Sequence, residues 1–130
     1  MNAEQDMRTP LKKVRGLGSA KDGTSHFWKQ RVTGISNLLV TIFLLWFVIA
    51  HLGATRADLL ASFHNPFIAV GFGLAFASIL WHMKLGLQVV IEDYVHGKMA
   101  LILSLLANSF YVALLGAAAL YAIIKLSFGA

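Results

Sequence analysis

Three long stretches of this chain carry almost no charge, and that constrains its fold more than any other feature. No Asp, Glu, Lys or Arg occurs from Val32 to Thr55 or from Met99 to Ile124, and between Pro66 and Ile91 Lys84 stands alone. A helix needs about 20 predominantly apolar residues to cross the roughly 30 Å hydrocarbon core of a bilayer, and each stretch is long enough. Composition agrees: 58% of residues are apolar and 13% charged, against about 25% charged in an ordinary soluble domain. The chain therefore reads as an all-α integral membrane protein with three transmembrane helices, at about 32–52, 66–91 and 99–124. These form a membrane domain over residues 25–130, behind a polar, basic segment at residues 1–24.

The net charge of +5 needs no nucleic acid to explain it. Arg8, Lys12, Lys13, Arg15, Lys21, Lys29 and Arg31 precede the first span and outweigh Glu4, Asp6 and Asp22. Basic residues beside a first span are retained in the cytoplasm. The amino terminus is thus expected in the cytoplasm of a bacterium, with the chain in its inner membrane. A mitochondrial targeting peptide is disfavoured, because such segments are poor in acidic residues. Residues 1–23 lack apolar periodicity and read as extended or disordered until they meet a partner. The first apolar run is too long and begins too late for a signal-peptide core, so it reads as an uncleaved helix. Without cysteine, the chain itself forms no disulfide and holds no thiolate-bound metal or iron–sulfur cluster.

Within the spans, polar groups are the informative residues. A titratable side chain in an apolar segment is costly and by default a functional candidate, which singles out His82. Gly86, one turn further on, lies on the same helix face and leaves room beside the ring. That room suits a flat cofactor or a closely packed helix with the histidine hydrogen-bonded to it, and the residues alone favour neither. Lys84 lies about 200° around the helix from His82 and reads as a snorkelling side chain. His26 and Arg31 can act as interfacial anchors or bind an anionic group. Gly71, Gly73, Ala75, Ala77 and Ser78 make a small-residue face for close packing, and Asn108 is expected to hydrogen-bond another helix. Residues 53–65 read as a short loop, Pro66 as the first residue of the second helix, and residues 92–98 as a tight polar connection. Paired carboxylates, a nucleophile–base pair and a phosphate-cradling glycine loop are all lacking in the sequence.

His82 followed by Gly86, Gln88 and Asp93-Tyr94 resembles the H-x(3)-G…D-Y element of the hydrophobic membrane anchor of succinate dehydrogenase, respiratory complex II. His26-Phe27 followed by Arg31-Val32-Thr33 resembles that family's segment before the first helix. Together these cover most of the chain from Ser25 onward. The serine- and arginine-bearing pattern of the sister cytochrome b protein has no counterpart here, which favours the anchor over its sister. The resemblance implies a three-helix member of a heteromeric bundle that serves electron transfer from succinate to ubiquinone without being catalytic alone. It implies His82 as an axial ligand of a b-type haem, with Tyr94 hydrogen-bonding ubiquinone and Asp93 supporting that site. The implied partners are the sister cytochrome b subunit, an iron–sulfur subunit and a flavoprotein subunit. With His82 as the one deep histidine, a second haem ligand is expected from the cytochrome b chain, and His26 or Arg31 is expected beside a haem propionate. Lys84 departs from the apolar or aromatic residue that the pattern favours. Two rivals remain at this level: a fumarate reductase anchor running from quinol to fumarate, and a small transport or assembly subunit using His82 and Lys84.

Overall fold

The structure, a computed structural model, describes residues 9–15 and 22–129. The described residues are helical apart from short connections: α1 (Pro10–Val14), α2 (Asp22–Ala50), α3 (Arg56–Phe63), α4 (Pro66–Tyr94) and α5 (Lys98–Phe128). Three of these, α2, α4 and α5, are long and apolar enough to cross a membrane. At 29 residues, α4 is about 43 Å long, well beyond the roughly 30 Å hydrocarbon layer.

Helix ends follow local chemistry. Asn65 caps α4 by accepting the Phe67 N–H at 3.0 Å, with Pro66 next in the first turn. Beyond α5, Gly129 adopts a φ of 75°, a conformation that suits glycine after a helix. Residues 53–65, expected as loop, hold the eight-residue α3. Its start is a capping box in which the Thr55 side chain accepts the Asp58 N–H while Asp58 accepts the Thr55 N–H. Residues 92–98 are likewise more helical than expected, since α4 continues to Tyr94 and α5 begins at Lys98. The extended or disordered reading of residues 1–23 gives way to a short helix at Pro10–Val14 and to α2 from Asp22. For residues 1–8 and 16–21 that reading lies outside the described residues.

The largest departure from hydropathy is the start of α2, ten residues before Val32. The added turns are polar, but Lys29, Gln30 and Arg31 are good helix formers. His26 and Gln30 are half-buried there rather than exposed. Tertiary contact therefore carries this helix beyond its apolar run.

Packing centres on α4, which contacts α2 on one side and α5 on the other, whereas among the described residues no Cα of α2 comes within 8 Å of a Cα of α5. The small residues of α4 make this possible. A Cβ at Gly71 would lie 2.8 Å from Phe43 Cζ, so the ring of α2 sits where a side chain would otherwise be. Ala75, one turn on, is 2% exposed. Beyond them Phe47, Phe63 and Phe72 form a cluster, with the Phe47 and Phe72 centroids 4.8 Å apart and nearly perpendicular. Among the described residues, burial is confined to Phe47, Ala75, Leu85 and Asn108. Three helices in an open row, with most apolar side chains facing outward, require lipid or other chains to cover them.

Candidate functional site

The antiparallel α2–α4 pair sets the site. Gln30 lies against Gly86, Thr33 against His82, Ser36 and Asn37 against Ser78, and Phe43 against Gly71. Opposed residue numbers sum to about 115 throughout, so one register runs the length of the interface. The α2 face is polar at its start: His26, Gln30, Thr33 and Asn37 recur at helical spacing. A polar seam thus enters an otherwise apolar pair of helices from the Tyr94 end.

His82 is half-buried in this seam. Its Nδ1 lies 3.0 Å from Thr33 Oγ1. The Thr33 hydroxyl also lies 2.8 Å from the Lys29 carbonyl and 3.1 Å from the Gln30 carbonyl. Among the described residues no group bonds His82 Nε2, and that atom is not one of the sealed, unpartnered polar atoms. An imidazole held through Nδ1 and reachable at Nε2 is the donor that a haem iron takes from a protein. Among the described residues no cluster of three or more His, Asp or Glu side chains forms a self-contained metal site. A metal at His82 would therefore need its other donors from outside the described residues.

The room beside Gly86 goes to helix packing. A Cβ there would meet Gln30 Nε2 at 3.7 Å, an ordinary contact. Deeper in the seam, Ser78 Oγ lies 2.8 Å from both Ser36 Oγ and Asn37 Oδ1. An amide oxygen only accepts, so Ser78 donates to Asn37.

His26 and Arg31 are not brought together. His26, on the same α2 face as Thr33, is half-buried and its Nε2 is sealed without a hydrogen-bond partner. Gln30 Oε1, one turn on, is in the same condition. Arg31 is exposed and about 200° around α2 from Thr33. Its guanidinium lies 4.8 Å above the Phe27 ring, a cation–π contact. Asp93 and Tyr94 end α4 and are both exposed, Tyr94 at 78%. They share the Tyr94 end with His26 and stand about 18 Å along α4 from His82.

Sequence reasoning placed Thr33 only in the segment before the first helix, without pairing it to His82, and gave Gln30 no role. The signal was present as a polar stripe, His26, Gln30, Thr33 and Asn37, entering an apolar helix. Lys84 keeps its position off the His82 face, and its backbone carbonyl accepts Asn108 Nδ2 from α5 at 3.0 Å.

Fold and site together define a small multi-pass membrane protein, open along both flanks, with one histidine presented from a polar seam between its first two spans. Residues 5–124 match the succinate dehydrogenase/fumarate reductase transmembrane subunit family, and the chain belongs to that family as a membrane anchor of the succinate dehydrogenase type. The succinate dehydrogenase hydrophobic membrane anchor subunit of Paracoccus denitrificans is 34% identical over 125 residues, covering 94% of each chain. That of Rickettsia bellii is 34% identical over 90 residues, 69% of this chain and 72% of the relative. The succinate dehydrogenase membrane anchor subunit of Reclinomonas americana is 30% identical over 88 residues, 65% and 73% of the two chains. No solved structure matches significantly.

Proposed function

We propose that the chain is the hydrophobic anchor of a succinate:ubiquinone oxidoreductase, supplying one axial ligand of a b-type haem and part of the ubiquinone site. The observation that carries this reading is the hydrogen bond between His82 Nδ1 and Thr33, with Nε2 bonded to no group among the described residues and not sealed. A haem bound there supplies a one-electron centre within the apolar layer. His82 contributes a neutral imidazole nitrogen, and Thr33 and Gln30 hold α2 against that face of α4. His26 is the better placed of the two propionate candidates, because it is half-buried on the Thr33 face of α2. Arg31, on the opposite side of α2, instead meets lipid phosphate or another chain.

At the Tyr94 end, Tyr94 donates its hydroxyl proton in a hydrogen bond to a quinone carbonyl, and Asp93 exchanges protons with water. Adjacent residues on a helix point about 100° apart, which suits separate duties. The open row of helices supports a cytochrome b partner beside α4, with iron–sulfur and flavoprotein subunits at the Tyr94 end. The relatives' names favour succinate oxidation over fumarate reduction. The basic segment before Val32 supports a cytoplasmic amino terminus in a bacterial inner membrane, and a reporter at Ala130 should then read outside.

The test is His82→Leu in the assembled complex. The low-spin haem spectrum should be altered or lost, while succinate oxidation by a soluble artificial acceptor persists. A haem spectrum identical to wild type would defeat the ligand assignment.

A further inference from the structure

We propose that Thr33 is a positioning residue for His82: its hydroxyl oxygen accepts the Nδ1–H, fixing the ring's tautomer and rotation so that the Nε2 lone pair is the one presented. This inference rests on the reading of His82 as a haem ligand.

The direction of the hydrogen bond follows from proton counting. A threonine hydroxyl carries one proton, and backbone carbonyls only accept. Thr33 Oγ1 is 2.8 Å from the Lys29 oxygen and 3.1 Å from the Gln30 oxygen, the back-bond common for threonine within a helix. Its proton is therefore spent inside α2, and a lone pair faces Nδ1 at 3.0 Å. Reversing the bond would set two oxygens 2.8 Å apart with no proton between them. Nδ1 is thus a protonated nitrogen, and in an imidazole that ligates iron Nε2 is then the one that carries the lone pair. The partner on a ligand's other ring nitrogen orients the ring and raises its basicity. The two residues stand on different helices, so the α2–α4 register itself holds the ligand. A Cβ at Gly34 would come within 3.7 Å of His82 Cε1, so the next residue of α2 closes on the ring's edge.

The experiment compares Thr33→Val, Thr33→Ala and Thr33→Ser with wild type in the purified, haem-loaded complex. The readouts are haem midpoint potential and the low-spin electron paramagnetic resonance signal. Valine keeps the branched shape and removes the acceptor. A less basic imidazole stabilises ferric haem less, so the potential should rise. A tenfold change in relative ferric affinity, at the lower end of the effects known for such outer partners, corresponds to about 59 mV for one electron. Serine should restore both readouts. If valine and alanine leave potential and resonance unchanged, or serine shifts them as far as valine does, the proposal is overturned. If the valine variant does not assemble, alanine carries the comparison. Failure of both to assemble would make the role purely structural and also overturn it. His82→Leu, run alongside, separates the two claims: an unaltered haem there defeats the ligand reading itself. An altered haem there with an unmoved Thr33→Val defeats the Thr33 assignment alone.

Discussion

Asn108 of α5 donates its Nδ2–H to the backbone carbonyl of Lys84 in α4, at 3.0 Å, and is one of the few buried side chains among the described residues. The contact lies on the other side of α4 from the Thr33–His82 pair. Side-chain bonds thus fasten α4 to both neighbours within three residues of sequence. Asn108 Oδ1 is sealed without a partner. Leucine removes that unpaired oxygen along with the donor, so Asn108→Leu should cost no more than about 1 kcal/mol. Asn108→Asp places a carboxylate against a carbonyl oxygen in an apolar setting and should destabilise far more. Thermal dissociation of the extracted complex distinguishes them, and equal losses would contradict the assigned geometry.

Gly71 and Phe43 give a steric prediction. A methyl group at position 71 would need the Phe43 ring to move, since the two would approach to 2.8 Å. That ring already packs edge-on against Phe72, with centroids 5.5 Å apart. Gly71→Ala should lower the dissociation temperature, with overpacking of this kind costing about 1–3 kcal/mol. Combining it with Phe43→Leu should recover part of the loss, and a double-mutant cycle measures the coupling. Strict additivity would show that the ring does not oppose Gly71.

The three spans were legible because lipid demands apolar length, and length can be read from composition. Asn108 was legible as an interhelical donor because an amide among apolar residues must find a partner. Its acceptor was not, since that depends on the α4–α5 register. The early start of α2 was invisible to hydropathy, because His26 and Gln30 are polar residues made helical by packing. α3 was written in Thr55-Arg56-Ala57-Asp58, a capping pattern hidden in what read as a connection. At Gly86 the room beside His82 was legible, but its use by Gln30 required the α2–α4 register. The same register pairs Thr33 with His82, two residues far apart in sequence.

Asp58 links α3 to pH. Its carboxylate accepts the Thr55 hydroxyl at 2.7 Å and the Thr55 N–H at 2.9 Å, and these bonds, the hydroxyl foremost, hold its pKa below the usual value, with a smaller contribution from His51. A pKa depressed by folding gives stability that is fully present above the unfolded carboxyl value and is lost as pH falls through the folded one. Asp58→Asn should therefore weaken amide-exchange protection over residues 55–59 at neutral pH. The difference from wild type should shrink below about pH 4. A difference that persists undiminished in acid would show that the charge is not what stabilises the cap.

Tyr94→Phe tests the quinone end of the proposal. The tyrosine is 78% exposed and closes α4, beside Asp93 and at the same end as His26. An exposed aromatic at a helix end is also what an interfacial belt residue looks like, so the variant must separate anchoring from ligand contact. Phenylalanine keeps the ring and removes the hydroxyl alone. Quinone reduction takes up two protons with its two electrons, and a donor aimed at a carbonyl stabilises the charge that develops there. Losing that one hydrogen bond should cost about 1–2 kcal/mol, a fall of roughly 5–30-fold in succinate–ubiquinone reductase activity. Succinate oxidation by an artificial acceptor that bypasses the quinone should be unchanged, as should the haem spectrum, because His82 lies about 18 Å away along the helix. A parallel fall in both activities would mean weakened assembly, and two unchanged activities would return Tyr94 to the interfacial belt. A selective loss of the quinone reaction is the outcome that the position of Tyr94 predicts.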